Sequence, residues 1–276
     1  MMKLKTYWKI IFIIIILIAT FFISARFIGT SGLDVREYKI INKDLPKSFY
    51  GLKIVHFSDL HYGMSCDEEV LSNLVDKINL SKPDIVVFTG DLIDKDTKHT
   101  EEIENILISY LSKINSSYGN YYVSGNHDSY KSAFNSLMNK SNFISLNDSY
   151  EVINSNTLDK LFIGGIDINS SESNYLTDVL TDEYGYKILI MHYPDNFDNI
   201  KKYDFDLVLA GHSHNGQVRL PLIGSLVRIE NAKKYSDAYY KIDNTEFYIS
   251  GGIGNSMLNL RLFNTPSFNL YRLVDK

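Results

Sequence analysis

The run Leu52-Lys53-Ile54-Val55-His56-Phe57-Ser58-Asp59-Leu60-His61 is a short apolar segment that breaks into a polar cluster. Its apolar half reads as a buried strand, and the carboxyl end of a strand is where open α/β sheets place their sites. The pattern recurs along the chain. Ile85 to Thr89 runs into Gly90-Asp91-Leu92-Ile93-Asp94, and Tyr121 to Val123 into Gly125-Asn126-His127-Asp128. Ile188 to Met191 runs into His192, and Leu207 to Ala210 into Gly211-His212-Ser213-His214, while Leu161 to Ile166 is a further buried strand. Between several of these lie amphipathic stretches with apolar residues at helical spacing: Asp67 to Leu80, stopped by Pro83, then Glu101 to Ile114 and Tyr130 to Lys140. From Val218 onward the pattern turns to strand and turn, with Tyr239 to Ile242, Glu246 to Ser250 and Phe268 to Val274 as strands. The fold class expected is layered α/β with a sheet-rich carboxyl half.

Toward the amino end, Asn42 to Gly51 is a loop around Pro46, Val35 to Ile41 a strand, and Gly29 to Gly32 a short linker. Ile10 to Ala25 is apolar except for Thr20 and Ser24, and Phe27 and Ile28 extend the run past Arg26. That meets the roughly 20-residue requirement for crossing a bilayer. Lys3, Lys5 and Lys9 precede the run, and Tyr7 and Trp8 sit at interface depth, which holds the amino end inside. The expected division is a cytoplasmic segment over 1–9, a single transmembrane anchor over 10–28, linker and first strand over 29–50, and an extracytoplasmic domain over 51–276 in the cell membrane. A cleaved signal peptide is the competing reading. Against it, the apolar run is long and Ile23-Ser24-Ala25 puts a large residue where cleavage prefers a small one.

The 276 residues carry a formal net charge of −5 with no long basic run, which disfavours nucleic acid as a partner. Cys66 is the single cysteine, so no internal disulfide is possible.

Of the seven histidines, His61, His127, His192, His212 and His214 fall at strand ends beside Gly, Asp or Asn. Buried core histidines do not distribute that way. His56, inside a strand, and His99, in a polar approach to a helix, have bland readings. Asp59 and His61 point the same way if strand geometry persists. His212 and His214, one residue apart, suit neighbouring positions around one or two cations. Mixed imidazole, carboxylate and amide donors suit Mn²⁺, Fe or Zn²⁺ better than Mg²⁺.

Asp59-x-His61, Gly90-Asp91, Gly125-Asn126-His127-Asp128, His192 and Gly211-His212-x-His214 resemble the ordered motif set of the calcineurin-like metallophosphoesterases, over Leu52 to His214. Within that family, Phe57-Ser58-Asp59-Leu60-His61, His192-Tyr193-Pro194-Asp195 and Gly211-His212-Ser213-His214-Asn215-Gly216-Gln217 are similar to a membrane-associated bacterial branch containing enzymes like UDP-2,3-diacylglucosamine hydrolases. The resemblance implies a β-sandwich flanked by helices and two metal ions, with Mn²⁺ favoured and Fe or Zn²⁺ possible. It assigns Asp59, His61, Asp91 and His214 to the first metal and Asp91, Asn126, His192 and His212 to the second. It makes His127 the proton donor and Asp94 the residue that holds His127 charged, with a capping role as Asp94's alternative. The function implied is phosphodiester or pyrophosphate hydrolysis by a two-metal-activated water, on a lipid-linked or membrane-proximal substrate. The alternatives are a metal-binding sensor without turnover, a phosphoprotein phosphatase, or a nucleotide phosphodiesterase.

Two departures touch the pocket: Asn215 stands where the branch usually has a second glycine, and Asn264-Thr265-Pro266-Ser267 lacks its usual acidic residue. In the late loop Met257, Leu258, Leu260, Leu262 and Phe263 alternate with Asn259 and Arg261. That pattern fits either an acyl groove beside a cationic phosphate contact or an ordinary strand with one buried face.

Overall fold

The structure, a computed structural model, describes residues 4–128, 130–170, 175–181 and 183–275. An apolar helix α1 (Leu4–Ile23) passes through a π-helical turn (Ser24–Ile28) before the folded body begins. The stretch Thr6–Ile28 is long and apolar enough to cross a membrane, starting ahead of the expected 10–28. The body then runs β1 (Asp34–Ile41), β2 (Lys53–Phe57), α2 (Glu68–Ser81), β3 (Ile85–Phe88), α3 (Glu101–Leu111), β4 (Gly119–Tyr122), α4 (Lys131–Lys140) and β5 (Phe143–Ser145). It continues with β6 (Ser149–Asn154), β7 (Lys160–Ile166), α5 (Tyr175–Val179), β8 (Tyr186–Met191), α6 (Phe197–Ile200) and β9 (Leu207–Ala210). A small hairpin β10 (Arg219–Leu220) and β11 (Gly224–Ser225) precedes β12 (Tyr239–Ile242), β13 (Thr245–Ile249) and β14 (Ser267–Val274).

Two six-stranded sheets form, in the orders β1-β14-β2-β3-β4-β5 and β12-β13-β9-β8-β7-β6. Period-two alternation explains their packing. In β2, Ile54 joins the core between the sheets, while Val55 and Phe57 face the cluster under α2, α3 and α4. In β8, Ile188 and Ile190 meet the same inter-sheet core, and Leu189 and Met191 pack with Phe197 and Ile200 of α6. Strands buried on both faces have no polar side to show, which is why they read as unbroken apolar runs. The result is the helix-flanked sandwich expected. His56 sits between the sheets, its Nε2 2.9 Å from Thr89 Oγ1, and burial lowers its pKa to about 3.

The parallel pairings β2–β3, β3–β4, β8–β9 and β9–β13 put the carboxyl ends of these strands on one rim. β14 inserts antiparallel to β2 and parallel to β1, so β1 starts at that same rim. Structurally the first strand is part of the domain.

The late loop is not a strand. Apart from one bridge between Leu262 and Val218, it winds through tight turns, with Leu258 N–H donating to Ser256 O and Leu260 N–H to Leu258 O at 2.7 and 2.8 Å. Its Arg261 side chain turns inward, fully buried, donating to the carbonyls of Gly251 at 2.8 Å and Gly254 at 2.5 Å and to Asn255 Oδ1 at 2.6 Å. The expected cationic phosphate contact at Arg261 is therefore corrected: its charge is committed to backbone oxygens.

Candidate metal centre

β2 ends at Phe57, and Asp59 and His61 then adopt left-handed φ values of 52° and 45°. They converge through turns, not through the persisting strand geometry expected. Asp91 (63°), His212 (67°) and His214 (49°) share the left-handed region. Such backbone is costly for residues with a Cβ and persists where surrounding contacts fix it. Here those contacts are visible. Asp59 N–H donates to Gly90 O at 2.9 Å, and His212 N–H to Asp59 Oδ2 at 3.1 Å. Ser58 Oγ–H also donates to Asp59 Oδ2.

Glycines let these loops touch. Gly90 takes φ +91°, and a Cβ on it would lie 2.3 Å from Gly125 N. A Cβ on Gly125 would meet Asp91 Oδ1 at 2.2 Å. Across this contact the buried Asp128 carboxylate accepts three backbone N–H groups, from Asp91 (2.9 Å), Leu92 (3.0 Å) and Gly125 (2.8 Å). Burial, then the Asp91 charge, push its pKa up to about 7. Asp128 stood in the sequence motif without a role. The signal was a carboxylate at the end of a glycine-led turn, a type that binds its own backbone amides. Asp128→Asn replaces one of the two acceptor oxygens by an NH2 that faces a backbone amide donor, and a stability loss of about 1–3 kcal/mol is expected. Urea unfolding of the two proteins checks this.

Each imidazole has one nitrogen fixed by a partner, which decides what the other can do. His192 Nδ1–H donates to Thr89 O at 2.6 Å, which turns Nε2 toward Asn126 Oδ1 at 3.0 Å and Asp91 Oδ2 at 3.4 Å. His61 Nδ1–H donates to Asp94 Oδ2 at 3.1 Å, leaving Nε2 facing His214 Nε2 at 3.3 Å and Asp91 Oδ2 at 3.8 Å. His214 Nε2 is also 3.5 Å from Asp59 Oδ1. His212 Nε2–H donates to Glu230 O at 2.8 Å, freeing Nδ1. Acceptors meeting acceptors at these distances require a positive charge among them, and two groups, Asp59-His61-His214 and Asp91-His192-His212, have their donor atoms within 4.8 Å of one another. The donor chemistry fits metal ions.

Electrostatics point the same way. Burial lowers the His192 pKa, but Asp91 and then Asp59 override it and lift it to about 9. Burial would raise Asp91; His192, then His61 and His127, hold it well below the usual carboxylate range. Burial raises Asp59 to about 6 against the pull of His192. His212 falls to about 3 through burial and the neighbouring His192, and His214 falls well below its ordinary value through burial, His61 and Arg261. Both rings therefore keep lone pairs available.

His127 lies over this cluster, its N–H donating to Asp91 Oδ1 at 2.8 Å and its Nε2 3.9 Å from Asp91 Oδ2. Lys95 N–H donates to its Nδ1 at 3.1 Å, so the ring proton sits on Nε2. Asp94 bonds His61 and accepts from Asp96 N–H at 3.0 Å; it touches His127 only through space. Asp94, expected to hold His127 charged, acts on it through its charge, which favours the imidazolium, while its hydrogen bonds go to His61 Nδ1 and, as a turn cap, to Asp96 N–H. Both sequence departures are buried beside His214. Asn215 occupies a left-handed φ of 52° that asparagine tolerates, and Asn264 Nδ2 donates to His214 O at 2.5 Å.

A polar cavity of about 270 Å³ opens over Asp91, Asn126, His127 and His212. An apolar groove of about 130 Å³, lined by Val218, Val227, Met257, Leu258 and Leu260, meets it at His214 and Met257.

Residues 52–216 match the calcineurin-like phosphoesterase family. A Bacillus subtilis protein named as an uncharacterized metallophosphoesterase, YkuE, is 32% identical over 90% of this chain and 88% of its own length. The UDP-2,3-diacylglucosamine pyrophosphatase LpxG of Chlamydia muridarum is 25% identical over 90% of this chain and 92% of its own. Among solved structures, GAP50, the anchor in the inner membrane complex of Plasmodium, superposes with a TM-score of 0.50 at 12% identity, covering 82% of both chains, a likeness of fold.

Proposed function

The chain belongs to the calcineurin-like phosphoesterase family, and from that premise we propose that it hydrolyses a phosphodiester or pyrophosphate bond in a lipid-linked or membrane-proximal substrate, using two metal ions. The observation that carries the reading is the convergence of the His61, His192, His212 and His214 ring nitrogens on Asp59, Asp91 and Asn126, with the His61, His192 and His212 rings each held from behind by a fixed partner. Asp59, His61, Asp91 and His214 would hold one ion and Asp91, Asn126, His192 and His212 the other, with Mn²⁺, Fe or Zn²⁺ suited to the donor set. When bound, such a pair lowers the pKa of water and offsets charge on a phosphate.

The chain's own residues do the rest. His127 presents Nε2–H to the cavity because Lys95 N–H occupies Nδ1. Burial lowers its pKa, with Asp91 pulling the other way, and an arriving phosphate adds the negative charge that favours the imidazolium. That proton goes to the leaving oxygen. Asp94 and Thr89 keep His61 and His192 from rotating. Asp128 holds the backbone that aims Asp91.

For substrate class, the apolar groove beginning at His214 supports an acyl chain next to the phosphate. The name of the Chlamydia relative joins acyl groups and a pyrophosphate in one substrate. The exposed apolar helix Thr6–Ile28 supports a membrane anchor, and the Lys3, Lys5 and Lys9 flank supports a body on the extracytoplasmic side. Full-length protein in vesicles should turn over a long-chain phosphoester with a higher kcat/KM than its short-chain version, and a chelator should abolish both activities. More efficient hydrolysis of soluble nucleotides than of every lipid-linked ester would refute the substrate class and leave the hydrolase intact.

A further inference from the structure

The anchor and the site share one rim. β1 runs parallel to β14, with Asp34 beside Ser267, and β14 runs antiparallel to β2, so the start of β1 lies beside the carboxyl end of β2, where Asp59 begins the metal centre. The tie is closer than topology alone requires. Arg261 N–H donates to Ala25 O at 2.9 Å, inside the apolar stretch, and a Cβ on Gly29 would lie 1.8 Å from Arg261 O. The end of the apolar helix is thus packed backbone to backbone on the late loop. Phe263, two residues on, lies within about 7 Å of Arg261 by chain reach.

Around this seat the surface is apolar and strained. Leu222, Met257 and Phe263 have left-handed φ values of 69°, 61° and 51°, where glycine or asparagine is favoured. Their side chains are nevertheless large and exposed, Leu222 fully and Met257 and Phe263 at 70% and 69%. Ile223, Leu226, Val227 and Leu258 are exposed beside them. Hydrogen bonds such as Ile223 N–H to Leu220 O and Leu258 N–H to Ser256 O hold the turns at Leu222 and Met257, while the large side chains are left outward as exposed apolar surface, the kind that marks a docking site. Leu222 and Phe263 line one concavity at the β10–β11 hairpin, and Met257 and Val227 line a second, the groove that reaches His214, so the hairpin and the late loop expose apolar surface both near the anchor seat and at the entrance to the site.

We propose that the β10–β11 hairpin and the late loop insert into the leaflet at which the helix ends, so that the metal-centre rim faces the bilayer. This rests on the reading of Thr6–Ile28 as an anchor. The occupant is the acyl and headgroup region of that leaflet: an interface where Leu222, Ile223 and Phe263 lose water and the exposed Arg228 meets phosphate. A substrate then passes from lipid into the groove without crossing water.

The test uses full-length protein in vesicles of phosphatidylcholine and phosphatidylglycerol, with or without brominated acyl chains. Trp8 is the single tryptophan, so its quenching in the unaltered protein reports the anchor alone. In a Trp8→Phe background, Leu222→Trp and Phe263→Trp are expected to lose half or more of their emission to brominated chains. Leu158→Trp, at a fully exposed turn before β7 and hence on the opposite rim, should lose none. Vesicle-bound protein whose tryptophans at 222 and 263 are quenched by aqueous iodide overturns the proposal, as does shielding from both quenchers, which means a protein partner or second copy covers the patch. Protein that leaves the vesicles overturns the anchor and the docking together. As a second readout, Leu222→Asp combined with Phe263→Asp should lower long-chain ester hydrolysis about tenfold or more, with hydrolysis of a water-soluble aryl phosphodiester unchanged. Equal rates on the long-chain ester with and without the two aspartates overturn the docking role.

Discussion

Asp91→Asn is expected to lose bound metal and to lower turnover by about 10³-fold or more, roughly 4 kcal/mol in the barrier. The reason lies in how many groups one carboxylate serves. Oδ2 lies 3.4 Å from His192 Nε2, 3.8 Å from His61 Nε2 and 3.9 Å from His127 Nε2, so it faces both donor groups at once. An amide nitrogen in that place points N–H groups at lone pairs and removes the negative charge that opposes His192. Oδ1 also accepts the His127 N–H at 2.8 Å, a contact the asparagine oxygen can keep, so the fold should survive. Asp128→Asn is the matched control, because Asp128 contacts backbone amides and faces no ring nitrogen: stability should fall while the folded protein still takes up metal. Metal analysis on purified full-length protein, alongside hydrolysis of an aryl phosphodiester, reads both effects. Two ions per chain and undiminished hydrolysis in Asp91→Asn would sink the shared-ligand assignment.

Much of this centre is legible in the sequence, for one physical reason. A parallel strand buried on both faces must be apolar along its length, so the residue at which polarity returns marks the rim, and Asp59, Asp91, Asn126, His192 and His212 all follow such runs. What failed to show was whatever depends on direction in space. Asp94 lies three residues from Asp91 and was expected to serve His127, yet the turn carries it to His61 Nδ1. Arg261 alternates with apolar residues as a surface cation would, and only the closure of the late loop against Gly251 and Gly254 turns it inward. Burial lowers its pKa to about 9, a cost that its carbonyl partners and Asn255 offset. The edge strands β5 and β6 were missed because β5 is short and β6 is mostly exposed, leaving no unbroken apolar run to read.

His127→Ala separates proton donation from metal binding. Its Nδ1 accepts from Lys95 N–H, so the side of the ring facing the cavity carries the proton, and a metal ion would need that nitrogen bare. Geometry alone leaves the other role open, since His127 also falls within 4.8 Å of donor atoms of His61 and Asp91. Kinetics can decide between the two. A poor leaving group such as an alkoxide needs its oxygen protonated as the bond to phosphorus breaks, and general-acid catalysis contributes about 10²–10⁴-fold in such cases. An aryl oxide leaves without that help. Loss of His127 is therefore expected to slow an alkyl phosphodiester by about that factor and the aryl ester by about tenfold or less, with metal content near normal. His127→Gln tightens the test, because its amide still donates a hydrogen bond but has no transferable proton: it should restore binding of the alkyl ester in KM and leave kcat low. Equal slowing of both esters with loss of metal would instead make His127 a ligand, and the proton would have to come from another group lining the cavity.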